Sequence, residues 1–435
     1  MMRHGARDRF TYDPLRFYED PYPLYRHLRD HAPLYRNEER DLWVLSRYSD
    51  IQAVARDWQQ FVSARGVDID VDDYSLGPGD FLDMDPPRHD ELRSVLHRDF
   101  TPRRIKSLEL FVRTSVSQLL DVLVEEGGGD LAKQFAQRLP LTVICELWGV
   151  PRDDHQLIEN WFVRMVERIP GEVAVQDDVW VAAEEMRSYI AAAIAERRRS
   201  PRDDLLGTMA QALNEGRMHT EEVDGMTRIL LVAGIHTTST FIANSLLLLA
   251  PLPDERRQMA RKPASIPAAI EELLRYETPV QWLARTAARD VQMYDTVIAG
   301  GDRLILLWAS ANRDERRMAD PDVLDLHRPP VHHMAFGEGI HHCIGAPLAR
   351  IEARIAFEEF FRRVPEYEVT GPIERMFTRQ ERGVASLPVR FDDVRTGCQI
   401  GGSAKRIGLS ARVLPVLAVR TRIRYGSGVS KITSP

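Results

Sequence analysis

HHMAFGEGIHHCIGAPLAR, residues 332–350, is the stretch from which the rest of the chain is read. It sets Cys343 among His332, His333, His341 and His342 and spaces glycines at 337, 339 and 345. Pro347 suits the opening of a helix, because the first turn has no use for the N–H that proline lacks. A sulfur just before that turn faces free backbone N–H groups and the positive end of a helix dipole, and both favour thiolate over thiol. Three readings of Cys343 stand side by side. A lone cysteine is commonly a small buried apolar residue. A zinc site built from the histidines lacks the C-x-x-C or H-x-x-x-H spacing that brings side chains onto one tetrahedral ion. An axial thiolate to heme iron needs one cysteine, an unhindered backbone beneath a flat macrocycle and N–H donors to the sulfur, and the three glycines supply the close approach.

Outward from this stretch, Leu230–Thr240 (LLVAGIHTTST) lies in a run from Ile229 to Ala250 without Asp, Glu, Lys or Arg. Such a run is long enough to span a bilayer. It contains His236, Thr237, Thr238, Ser239, Thr240, Asn244 and Ser245 and has no supporting topology signals, so a buried central helix is the expectation. Consecutive hydroxyl residues in an apolar helix need their hydrogen bonds met, commonly by the carbonyl three or four residues back. Thr237 would take the Ala233 carbonyl, and Gly234 beside it would open a groove. In MDPPRHDELR, His89 and Arg93 are four apart and share a helix face. Glu272 and Arg275 stand i,i+3 in AAIEELLRYETP, a spacing that is ordinary for a surface pair. Gly300-Gly301 predicts a hairpin turn between strands.

Composition bounds the function. The 435 residues carry a net charge of −7 and a hydrophobic fraction of 44%, which gives a globular chain with no reason to expect a nucleic-acid partner. Three cysteines, Cys145, Cys343 and Cys398, form no spaced framework and suit a reducing cytoplasm. The first residues, MMRHGARDRFTYDP, are charged and lack an apolar core, so neither a signal peptide nor a membrane anchor is expected. The expected organisation is an extension over 1–12, one large domain over 13–391, and a basic, disordered tail over 392–435 rich in Gly and Ser, with no assigned role.

The run Phe336-Gly337-x-Gly339-x-His341-x-Cys343-x-Gly345, with Ala346 and Leu348-Ala349-Arg350, resembles the heme-binding signature of the cytochrome P450 family in its soluble bacterial branch. Asp85, Pro86, Pro87, His89 and Arg93 are similar to that family's D-P-P-x-H-x-x-x-R, and Glu272 and Arg275 to its buried E-x-x-R. The resemblance implies a mainly α heme-thiolate fold with small β-sheets in a single large domain. It further implies heme b (iron protoporphyrin IX) ligated by Cys343, with Phe336 near the sulfur and Gly337, Gly345, Ala233 and Gly234 around the cofactor. His89, Arg93, Arg285 and His341 would meet the propionates. Substrate contacts are expected from Trp161 and Phe162 in a lid region, from Val280, Gln281 and Trp282, and from Val384 at a turn entering the pocket.

One departure is informative. The family pattern A-G-x-acid-T-T/S reads Ala233-Gly234-Ile235-His236-Thr237-Thr238 here, with histidine where an acid is usual. Imidazole titrates near neutral pH and can also relay protons, so His236 is expected to gate proton entry while Thr237 orients bound oxygen. The implied activity is insertion of one atom of O2 into a small organic substrate. No dinucleotide or flavin fingerprint occurs, so NAD(P)H-derived electrons are expected through a separate ferredoxin and ferredoxin reductase. Arg98, Arg103 and Arg104 offer a basic turn for such a partner. Two alternatives remain: a peroxygenase using hydrogen peroxide, and a noncatalytic heme-binding or sensor protein.

Overall fold

The apolar run from Ile229 folds into a long helix, Thr220–Leu249, at the centre of the computed structural model. Its start is capped by Glu222, which accepts the His219 N–H at 2.8 Å, and the acidic pair Glu221 and Glu222 complements the helix dipole. A helix apolar on nearly all sides must be surrounded. Helices Arg138–Trp148 and Ala346–Arg363 pack against it, and Leu231, Ile235, Ile242 and Leu246 are fully enclosed. The internal hydroxyls are met within the helix, Thr237 donating to the Ala233 carbonyl at 2.7 Å and Ser239 to that of Ile235 at 2.6 Å. By length and composition this helix could cross a membrane, and most of it is buried in the protein.

The structure describes residues 20–69, 79–166, 177–376, 378 and 380–392. The expected N-terminal extension, and the basic tail apart from Asp392, lie outside them. The described part is mainly helical with small sheets, as the resemblance implies. The largest sheet has strands β1 (Leu34–Asn37), β2 (Leu42–Leu45), β3 (Phe61–Val62), β4 (Leu283–Ala287) and β5 (Arg303–Leu306), in the order β1-β2-β5-β4-β3. β2 and β5 pair in parallel with Trp43 opposite Leu304, and the other pairs are antiparallel. Leu304, Ile305 and Leu306 are all buried, the continuous apolar run that a strand covered on both faces requires.

Gly300-Gly301 does not close a hairpin. The strand before it, Thr296–Ile298, pairs with Val291–Met293, whereas β5 after it pairs with β2 and β4. The two glycines turn the chain from one sheet into another, with Gly301 at φ +101°.

Glu272 and Arg275, on helix Ile266–Tyr276, are not a surface pair. Arg275 is fully buried and makes two 2.7 Å bonds to Glu272, and it donates to the carbonyls of Asn312, Pro321 and Val323. Glu272 also accepts the Asp325 N–H at 3.0 Å. This five-bonded arginine ties the helix to the segment 312–325 that leads into the cysteine stretch.

Candidate active site

Between the central helix and the cysteine stretch lies a cavity of about 290 Å³. Ala233, Gly234, Thr237 and Thr238 form one wall, and Phe336, Gly337, His341, Cys343 and Gly345 form the wall facing it. The cysteine wall depends on glycine. Gly337 and Gly339 have φ of +71° and +74°, and a Cβ on Gly339 would fall 2.2 Å from the Ala55 carbonyl oxygen. Gly345 is different, since its backbone has ordinary φ and a Cβ there would make an ordinary contact with the Cys343 sulfur. Its contribution is the N–H beside the sulfur. A Cβ on Gly234 would meet Ile144, which lines the same cavity, at a tight 3.3 Å.

Cys343 is exposed, but to the cavity. Burial among protein atoms raises its thiol pKa, with the Gly345 and Ala346 N–H groups and the Arg93 and Arg350 cations acting in the opposite direction. The donors expected from the sequence are present; in the chain alone burial outweighs them. Phe336 lies beside the sulfur's loop, its carbonyl accepting the Cys343 N–H at 2.8 Å and its ring covered by Arg350 at 4.3 Å. The helix Ala346–Arg363 opens directly after, with Pro347 in its first turn.

A second cluster gathers beside the cavity, where His341 and Arg93 line it and His89 and Arg285 do not. His341 is enclosed, and neither ring nitrogen makes a hydrogen bond of normal geometry. Burial, with Arg285, His89 and Arg93 close by, pushes its pKa down to about 2. The His89 ring packs edge-on against it at 4.5 Å, with Nδ1 on Asp90 and Nε2 buried without a partner. Arg285 is buried in β4, and burial takes its pKa down to about 10. Arg93 lines the cavity and donates to the His342 carbonyl at 2.6 Å. Buried donors and cations with unmet capacity are what two buried carboxylates need, so the residues fit a heme with its propionates. Among the described residues no group of His, Cys, Asp or Glu is arranged to hold a metal ion, which leaves the zinc reading without support.

Of the expected substrate contacts, Val280 lines the cavity. Trp161, Phe162, Gln281, Trp282 and Val384 do not. Trp161 donates to Glu185 at 2.9 Å, Phe162 packs 6.0 Å from the His236 ring, and Gln281 donates to the Thr278 carbonyl. Trp282 and Val384 belong to the two buried cores. Phe81, Leu82, Ile229, Leu230, Val232 and Leu283 take their place. His236 also does not line the cavity; its Nδ1 lies 2.5 Å from Glu381, which does. Two lining acids were missed by the sequence reading. Glu352 is fully buried with its carboxyl pushed well above the usual range by burial alone. Its signal was available, since it follows Gly345 by seven residues, two turns along the same face. Glu381 lies in the turn, Gln380 to Val384, that was expected to enter the pocket, and with Gln380 it lines the cavity, but no role was read for it.

A cysteine sulfur faces a hydroxyl-bearing helix across an apolar cavity, with cationic and hydrogen-bonding groups beside one end, an arrangement that fits a heme-thiolate site. The cytochrome P450 profile matches residues 30–261 and 265–385, and the chain belongs to that family. It is accordingly a heme-dependent monooxygenase, an oxidoreductase. It is 37% identical over 365 residues to "Cytochrome P450 130" of Mycobacterium tuberculosis, covering 80% of this chain and 89% of that one. The structure of the Bacillus subtilis polyketide synthase P450 PksS superposes with a TM-score of 0.81 at 33% identity, covering 88% of this chain and 100% of PksS. CYP109E1 of Bacillus megaterium in complex with testosterone superposes with a TM-score of 0.79 at 29% identity, covering 87% and 100%.

Proposed function

We propose that the protein holds heme b through Cys343 and inserts one atom of O2 into a largely apolar organic substrate in the cytoplasm, using NAD(P)H-derived electrons delivered by a ferredoxin and its reductase. The observation that carries this reading is the placement of Cys343 and Thr237 on facing walls of one cavity. When bound, the heme supplies reductive activation of dioxygen, and a thiolate ligand favours O–O cleavage. The Gly345 and Ala346 N–H groups would hold charge on the sulfur, and Phe336 would shield it from water. Thr237 keeps its hydroxyl hydrogen on the Ala233 carbonyl, which leaves the oxygen lone pairs free to accept from a ligand. Phe81, Leu82, Ile229, Leu230, Val232, Val280 and Leu283 give an apolar lining, and the testosterone complex of CYP109E1 shows that a relative accepts a bulky apolar molecule.

For electron delivery, Arg98 and Arg104 are already engaged with Asp203, at 3.8 and 3.1 Å, while Arg103 is exposed. The monooxygenase reading is tested by comparing turnover of the heme-loaded protein with ferredoxin, reductase and NAD(P)H against turnover with hydrogen peroxide alone. Faster, better-sustained turnover in the first arm is expected. Turnover by peroxide alone would favour the peroxygenase, a reading prompted by His236 and opposed by the retained Thr237.

The propionate assignment has its own test. Arg285→Ala removes a buried cation from the carboxylate end, and a charge-assisted hydrogen bond contributes about 1.5–3 kcal/mol. Heme transfer to excess apomyoglobin should therefore be roughly ten- to hundredfold faster in the variant. An unchanged transfer rate would remove Arg285 from the assignment.

A further inference from the structure

The acid missing from position 236 is present in space. Glu381 lies in the connection between the paired strands Glu374–Arg375 and Val384–Ser386, far from the central helix in sequence. Its Oε2 lies 2.5 Å from His236 Nδ1 and 3.5 Å from Thr240 Oγ1. Both contacts fall on Oε2, and Glu381 also lines the cavity. His236 is buried, with Phe162 beside its ring and its Nε2 unpartnered.

Residues 380–382 are held in this position by hydrogen bonds. Gln281 N–H donates to the Gln380 carbonyl at 2.6 Å, and Arg382 N–H to that of Pro279 at 2.9 Å. Asn244, two turns past Thr237 on the central helix, donates to the Arg382 carbonyl at 2.7 Å. A side chain on Gly383 would meet Met376 Sδ at 2.5 Å and Thr240 Oγ1 at 2.9 Å, so glycine there lets the hairpin lie directly on the helix. Arg382 is paired with Glu277 at 2.5 Å, so the neighbouring cation is engaged away from Glu381.

We infer that Glu381 is the carboxylate proton donor of the distal cavity and that His236 is its positioning residue, so that the acid usually carried by the central helix is supplied by the C-terminal hairpin. The inference rests on the heme-thiolate reading above. Each turnover consumes one O2, two electrons from the redox partner and two protons; one oxygen atom enters the substrate and the other leaves as water. Glu381 gives a proton to the cavity and recovers one from His236 Nδ1, the pair takes one proton back from solvent, and this relay runs twice in each turnover to supply both protons.

The test uses the heme-loaded protein and its Glu381→Gln, Glu381→Asp and His236→Gln variants. Product and hydrogen peroxide are measured per NAD(P)H consumed, together with the substrate dissociation constant from the heme spin-state shift. Positioned proton transfer is commonly worth two or more orders of magnitude, so Glu381→Gln should cut product per electron pair by about tenfold or more, with peroxide making up the balance. The substrate dissociation constant should not move, and Glu381→Asp should recover part of the coupling. Unchanged coupling, or a loss confined to substrate affinity, would overturn the inference, the latter making Glu381 a recognition group. The pair itself is read from melting temperatures without turnover: Glu381→Gln, His236→Gln and the double variant should be non-additive, and additive shifts would count against it. The reduced carbon monoxide spectrum of each variant separates these results from a failure of thiolate ligation.

Discussion

Arg275→Ala is expected to lower the stability of the folded protein by about 3–5 kcal/mol, because truncating one member of a buried ion pair strands the other charge. Arg275 is fully buried, and its guanidinium satisfies both Glu272 oxygens and three carbonyls at once. Without it, Glu272 keeps only the Asp325 N–H at 3.0 Å and the Arg328 Nε at 3.3 Å. The carbonyls of Asn312, Pro321 and Val323 lose the donor they share. Because whole domains are stable by only about 5–15 kcal/mol, the variant should accumulate poorly and bind little heme. Arg275→Lys should fall in between, retaining the charge and losing the planar fork. Denaturant unfolding of the two variants against the parent measures the difference, and a loss below about 1 kcal/mol in Arg275→Ala would contradict the structural role, since that is the scale of a surface pair.

The second large effect concerns chemistry rather than folding. Cys343→Ser should abolish product formation while leaving the melting temperature of the heme-free protein nearly unchanged. The sulfur faces the cavity and fills no packed core position, so serine removes the ligand without opening a void. Its hydroxyl can accept the same Gly345 and Ala346 N–H groups but cannot supply thiolate electron donation. Circular dichroism and melting curves check the fold, and product analysis under saturating substrate checks the loss. Retained turnover would place the iron ligand elsewhere.

How far the sequence led differs between the two walls of the cavity. The cysteine wall was legible because its demands are local: positive φ at Gly337 and Gly339, a proline-opened helix and N–H groups beside a sulfur are all set by neighbours in the chain. The central helix was legible for the same reason, since the back-bond from Thr237 to Ala233 spans four residues. The buried character of Glu272 and Arg275 came only through resemblance, as i,i+3 spacing alone describes a surface pair equally well. What escaped was long-range. Trp282 belongs to the core while Val280 and Leu283 face the cavity, a division decided by where β4 begins and by the sheet it joins. Glu381 reaches His236 only because a hairpin packs across the helix; the turn over 380–384 was legible as entering the pocket, but its contact with the central helix was not.

The account turns on Cys343 as the thiolate ligand of a heme, and the carbon monoxide difference spectrum of the reduced, heme-loaded protein tests that most directly. The parent should show the red-shifted band characteristic of thiolate ligation, and Cys343→Ser should lack it. A parent spectrum without that band, in protein that is folded and fully loaded with heme, would contradict the account.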